Sequence, residues 1–390
     1  MNPCESLRLR SFKGFEPSAD VFIKSQEPAT NPLLDAVKKA VPMIKEPRVK
    51  LADSMHDMIM DTTSSASDAM GKDAVVFPIP NHRDMVLRIE KSVLGKMDKL
   101  PEDLELVPIA YEKGISENPH LGLPLYYVTS KSSTIARKNT ISPMEALAQP
   151  DKIMVLRRVT GEHPSAKVGD KFMNMIGYSD FSHPDESALT NFSYIFGYIG
   201  PNFGYKAVLK CLELCKNGVS DIPAHAIAEG SAPIKLDKGK EFYKMYTDFA
   251  DSYVQSLKDI SEIPQESYKN AVDFISSSKN FNVDFQHTNN TFVDLEKKEF
   301  NFMDFAYDKN DKKYIYANPV KEFRNVLFGK GFRRIDDLRE AVRFLPQLRY
   351  PRDFIALPEH IEGIKKYSKT INDKINAAAP QEFQSPKVFS

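Results

Sequence analysis

The chain has 390 residues, 42% of them hydrophobic, which is enough for one large two-lobed domain or two ordinary ones. Lysine plus arginine and aspartate plus glutamate each number 53, so the formal charge is zero and nothing global points to nucleic acid. No stretch approaches the ~20 apolar residues of a membrane span, and three cysteines cannot build a disulfide framework.

Residues 1–50 are broken by Pro17, Pro28, Pro32, Pro42 and Pro47 and are expected to form a flexible tail with one short helix at "PLLDAVKKAV". The start "MNPCESLRLRSFKGFEPSAD" lacks a continuous apolar core, so no ordinary secretory signal is visible. The expectation is synthesis in a cytosol. A polar leader of this kind also suits export into a host cell without a cleavable signal.

From 51 to 160 the pattern is strand-like. "HDMIMDT" is short and apolar, and "TSSASDAMGKD" is a Ser/Gly/Asp-rich loop. "AVVFPIP", a turn at "NHRD" and "MVLRI" follow, and "PLYYVTS" and "KIMVLRRV" add two more runs. This predicts a small, mostly antiparallel sheet. After residue 160 the spacing changes to three and four. "SALTNFSYIFGYI", "YKAVLKCLELCKNG", "KEFYKMYTDFADSYVQSLKDI" and "QESYKNAVDFISSSKN" read as helices, the second stopped by Asn217-Gly218. Cys211 and Cys215, four apart on that helix, are expected to be buried thiols; Cys4 lies in the tail. "VKEFRNVLFG" and "RIDDLREAVRFLPQL" return to helix, and "AAAPQEFQSPKVFS" reads as a frayed end. The expected plan is α+β: a β lobe over 51–160, a larger helical lobe over 161–375 with an embedded hairpin, and a second tail over 376–390.

The hairpin is the most informative stretch: "VDFQHTNNTFVDLEKKEFNFMDF", residues 283–305. "TFVD" and "FNFMDF" are two short strands joined by a charged turn. The residue before the first strand and the residue after the second then lie at the same end, so Asp304 and one asparagine converge. A carboxylate and an amide oxygen, completed by water and phosphate oxygens, are how proteins hold Mg²⁺. Asp284, just upstream, would stand beside that metal and accept a proton from an attacking hydroxyl. His287 reads as a loop-orienting residue, and "LEKKE" and "KNDKK" as solvated turns.

This arrangement resembles the catalytic core of the protein-kinase-like superfamily: an aspartate, an asparagine five residues on, an apolar strand, and a second strand ending in Asp-Phe-Gly. Here Asp284 and Asp304 are 20 apart, and the last element reads Met303-Asp304-Phe305-Ala306, with alanine in place of glycine. Asn289 keeps the five-residue step. Asn290 keeps the downstream frame and lets Phe292 sit under a nucleotide base. The family's Val-Ala-Ile-Lys strand aligns with Met85-Val86-Leu87-Arg88, so Val86 would face the base and Arg88 would stand where lysine binds phosphates. Strand alternation puts both on one face; Lys91 faces the other way. Glu102 and Glu105 are the candidate partners of that cation. "IMVLRRVTGEHP" resembles the strand and hinge whose backbone, from Leu156 to Val159, would meet the adenine edge. The loop between the first two expected strands, "TTSSASDAMGKD", holds only Gly71, where the family is glycine-rich.

The resemblance implies a bilobal kinase-like fold and an ATP- and Mg²⁺-dependent phosphotransferase, closer to aminoglycoside-phosphotransferase-like and bacterial effector kinases than to eukaryotic signalling kinases, with a protein acceptor. Two alternatives stay open: a pseudokinase that scaffolds without transfer, and a nucleotidyltransferase using inverted ATP. Arg88 favours the pseudokinase; the Asp284, asparagine and Asp304 set favours the phosphotransferase.

Overall fold

A computed structural model describes residues 32–45, 74–79, 81–90, 93, 103–111, 115–149, 152–164, 166–176, 186–222, 234–277, 282–285, 290–303, 305–306, 316–329 and 351–384. The stretches expected as a first strand (56–62), a Ser/Gly-rich loop with Gly71 (63–73) and a helix (334–348) lie outside these residues, as do Cys4, Lys91 and Glu102. In chain order the elements are α1 (Pro32–Lys45), β1 (Ala74–Ile79), β2 (His82–Glu90), β3 (Leu104–Pro108), β4 (Leu121–Gly122), β5 (Pro124–Ser130), α2 (Pro143–Leu147) and β6 (Ile153–Arg157). Then come α3 (Ala166–Met175), α4 (Glu186–Phe192), α5 (Tyr205–Lys216), β7 (Asp221–Ile222), β8 (Ile234–Lys235), α6 (Gly239–Ser261) and α7 (Gln265–Ser277). The last are β9 (Asn282–Val283), β10 (Thr291–Asp294), β11 (Glu299–Met303), β12 (Phe305–Ala306), α8 (Pro319–Leu327) and α9 (Pro358–Ala378). Sheet and helices together make the fold α+β, as the sequence pattern predicts.

The described residues divide into two compact units. The first holds those up to Glu162 with those in 278–284 and 290–315; the second holds the rest. In sequence the hairpin β10–β11 lies among helices, but in space it belongs to the first unit.

The first unit is built on a five-stranded antiparallel sheet in the order β1-β2-β6-β5-β3. Period-two alternation gives it two apolar faces. Leu87 and Ile89 of β2 and Ile153 and Val155 of β6 point to one face, which Leu33, Ala36 and Val37 of α1 cover. The short helix expected within residues 1–50 is thus present as α1 and is packed on the sheet. Met154 and Leu156 of β6, Tyr127 of β5 and Val107 of β3 point to the other face, packed by Ile141 and Ala146. Each fully buried aliphatic side chain contributes about 1.5–3 kcal/mol. The β1–β2 reversal is tighter than "NHRD" suggests. Ile79 pairs with His82, and Asn81 takes φ 64°, a conformation asparagine tolerates well. β3 was not among the expected strands, because "LELVP" is short, carries an acid at its second position and ends in proline. It forms the edge of the sheet, with Glu105 opposite Thr129.

The second unit is helical. Along α6 the buried residues Phe242, Tyr246, Phe249, Tyr253, Leu257 and Ile260 recur every three or four positions. Phe172 of α3 and Phe192 of α4 meet at 5.6 Å edge to face, and Phe354 lies 5.1 Å from Phe192. After Phe192 the helix widens into a π-turn over Ser193–Ile199, and Gly200 donates to the carbonyl of Ile195. Pro201 follows at once, and a proline has no N–H to continue a regular ladder. α5 ends as expected at Asn217-Gly218. Gly218 has φ 72°, its N–H reaches Cys215, and the N–H of Val219 reaches Leu214, the pair of bonds that closes a helix end. α9 was not among the expected helices; it closes the expected helical lobe and runs only as far as Ala378 into the second tail, and Ala379 beyond it is still buried.

Cys211 and Cys215 are both fully buried on α5. Burial pushes the Cys211 thiol up to about 11 and the Cys215 thiol up to about 12. Folded protein treated with iodoacetamide at pH 8 should leave both unmodified, and denatured protein should lose both to alkylation. Peptide mass spectrometry reads each site; substantial labelling of either in the folded chain would contradict this packing.

Candidate functional site

The hairpin is locked by its own turn. Asp294 ends β10 with a buried side chain whose Oδ1 accepts from the backbone N–H groups of Glu296 (3.1 Å) and Lys297 (3.0 Å). Lys298 completes the reversal at φ 57°. The other oxygen of Asp294 accepts from the Thr160 hydroxyl at 2.5 Å. Thr160 belongs to the segment leaving β6, and that segment is fastened to the hairpin again and again. Its carbonyl accepts from Asn301 at 2.8 Å, and Glu162 and Val293 exchange backbone bonds of 3.0 and 2.8 Å. Asn301 also meets His120 Nδ1 at 3.1 Å, and β4 runs parallel to the end of β11. These fasteners were invisible to sequence pattern.

Register fixes the working end of the hairpin. Thr291 pairs with Phe302 and Phe292 with Asn301, so Asn290 enters β10 at the end where β11 finishes. Asn290 is buried, and its Nδ2 donates to the backbone carbonyl of Asp284 at 2.9 Å. The amide group is thereby oriented, and the atom it has left for a cation is Oδ1. Asp284 is itself buried. Immediately before it, Val283 of β9 pairs with Phe305 of β12. The strands on either side of residue 304 are thus held, one against β4 and one beside Asp284. Asp304, Asn289 and His287 lie outside the described residues, so of the two asparagines only Asn290 has a described geometry.

On the sheet, Val86 lies directly opposite Leu156, and Arg88 opposite Met154. Val86 and Leu156 pack with the same apolar cluster, while Leu87 and Ile89 point to the other face, as strand alternation requires. The Arg88 guanidinium has its acidic partner on its own strand: Glu90 Oε1 is 3.9 Å away. Glu105, one of the two expected partners, sits on β3, which β6 and β5 separate from β2. With strands ~4.8 Å apart that is far beyond reach. Glu90 carried a readable signal, since it stands two residues after Arg88 on the same face.

Among the described residues no group of three or more His, Cys, Asp or Glu could hold a metal ion, and no helix is long and apolar enough to cross a membrane. No protein-family model, curated protein or solved structure matches the chain.

Proposed function

We propose that the chain is an ATP- and Mg²⁺-dependent phosphotransferase of kinase-like architecture, acting on a hydroxyl of a protein acceptor as a bacterial effector kinase does. The observation that carries this reading is the bond from Asn290 to the Asp284 carbonyl at the open end of the hairpin. It couples the proposed base to a proposed metal ligand through one peptide. The donor chemistry fits Mg²⁺: the oriented Oδ1 of Asn290, with the Asp304 carboxylate added, is a hard oxygen set that leaves room for phosphate oxygens. Bound there, the cation would neutralise charge on the transferring phosphoryl group. Asp284 accepts the proton of the attacking hydroxyl as that oxygen bonds to the γ-phosphorus and the bond to ADP breaks. Val86, Leu156 and Phe292 supply apolar surface for the base, and Arg88 clamps the phosphates.

The pseudokinase reading has one observation in its favour. Arg88 is engaged with Glu90, which holds a bulky fork where the resemblance calls for a compact ammonium.

Magnesium and ATP together should raise thermal stability, by about 2.7 kcal/mol at a hundred times the dissociation constant. Asp304→Ala should lose the Mg²⁺-dependent part of that gain while keeping any metal-independent part. Thermal unfolding with ATP alone and with Mg²⁺ added separates the two. An equal Mg²⁺-dependent gain in both proteins removes Asp304 from the metal site.

A further inference from the structure

We infer that Lys152 is a second phosphate-binding cation, forming with Arg88 one anion site for the polyphosphate tail of a nucleotide, and that Glu90 is the positioning residue between them; this rests on the nucleotide reading above. Lys152 Nζ lies 3.1 Å and Arg88 NH1 3.9 Å from the same oxygen, Oε1 of Glu90. The three side chains share one face of the sheet. Arg88 and Glu90 alternate with the fully buried Leu87 and Ile89, and Lys152 is the next residue before Ile153, which points the other way. The N–H of Glu90 bonds to the carbonyl of Lys152 at 3.1 Å, so the pairing of β2 and β6 sets these residues across from each other.

Like charges on neighbouring strands repel, so an arginine and a lysine held this close need an anion between them. Glu90 supplies one negative charge against two positive ones, leaving an excess of one. The cations are 24–26% exposed: partly desolvated, yet open to a ligand from water. This is the face that carries Val86 and Leu156. Arg88 follows Val86 by two residues, about 7 Å along the strand, and Glu90 by four, about 13 Å. The charges therefore begin where a ribose would end and a phosphate tail would run. A lysine ammonium beside the guanidinium adds a compact point charge to a planar fork.

The test is calorimetric titration of the full chain with MgATP, adenosine and inorganic tripolyphosphate. Lys152→Met and Arg88→Met should each weaken MgATP about tenfold or more, the loss of one charge-assisted contact, and leave adenosine unchanged. The double variant should lose tripolyphosphate binding. Lys152→Arg, which keeps the charge, should retain MgATP within about threefold. Wild-type MgATP affinity in Lys152→Met, or a parallel loss of adenosine, overturns the inference. Wild-type protein that binds tripolyphosphate but not adenosine keeps the anion site and sinks the nucleotide reading. Wild-type protein that binds neither MgATP nor tripolyphosphate sinks both.

Discussion

Replacing Gly161 by alanine is expected to destabilise the protein by roughly 3 kcal/mol, the sum of a strained backbone and an overpacked contact. Gly161 has φ 120°, where side chains other than hydrogen are rarely accommodated. A Cβ there would lie 2.7 Å from the carbonyl carbon of Val293 and 2.8 Å from its oxygen and from the nitrogen of Asp294. None of these can yield easily, because Val293 is tied to Glu162 through both of its backbone groups. Set against a total stability of about 5–15 kcal/mol, the loss should lower Tm on the order of 10 °C. Gly169 provides the contrast. It lies inside α3 with nothing within 4 Å of an added Cβ, so Gly169→Ala should stabilise by about 0.5–1 kcal/mol. Paired thermal melts decide the matter. A Gly161→Ala protein as stable as wild type would mean that the segment after β6 is not packed on the hairpin as described.

What sequence could reveal about this chain follows from the range of the interactions involved. The faces of β2 were readable because alternation is a local rule: Leu87 and Ile89 go one way, Val86 and Arg88 the other. The hairpin was readable because its turn is self-contained, with Asp294 bonding residues two and three ahead. The stop after α5 was readable for the same reason. By contrast, the bond from Asn301 to Thr160 spans 141 residues, and no pattern near either one announces it. β4 has two residues and exists only because β11 runs beside it. β3 does carry alternation at Leu104 and Leu106, but five residues with an acid between those leucines and a terminal proline read equally well as a loop. α9 is a different case. Pro358 at its first turn, Glu359 after it, and Ile371 and Ile375 four apart on the buried side form a legible helix signature, yet the helix is absent from the expectations.

For the site, the limit lies elsewhere. Residue types and spacing suffice to name Asp284, Asp304 and two asparagines, but not to choose between Asn289 and Asn290. Asn290 is oriented by one hydrogen bond to a backbone carbonyl, which no composition rule predicts, while Asn289 lies outside the described residues. The partner of Arg88 was sought on distant glutamates, whereas the sheet supplies Glu90 two residues away.

Asp284→Asn should lower the rate of phosphoryl transfer by about 10²–10⁴-fold, the usual cost of removing a general base, while leaving MgATP affinity close to wild type. The substitution is nearly isosteric, and the contact it must preserve is a backbone one: the Asp284 carbonyl that orients Asn290 is untouched by a change of side chain. Metal binding should therefore survive where proton acceptance does not. Asp304→Ala should show the reverse order, with MgATP binding failing first. Measuring nucleotide affinity and single-turnover transfer on both variants and on wild type gives the two readouts side by side. The pseudokinase reading expects MgATP binding with no transfer in any of the three. If Asp284→Asn loses nucleotide as badly as Asp304→Ala, its side chain belongs to the metal site. If it transfers phosphate at the wild-type rate, the proton leaves the acceptor by another route, and Asp284 is a structural residue of the loop that Asn290 closes.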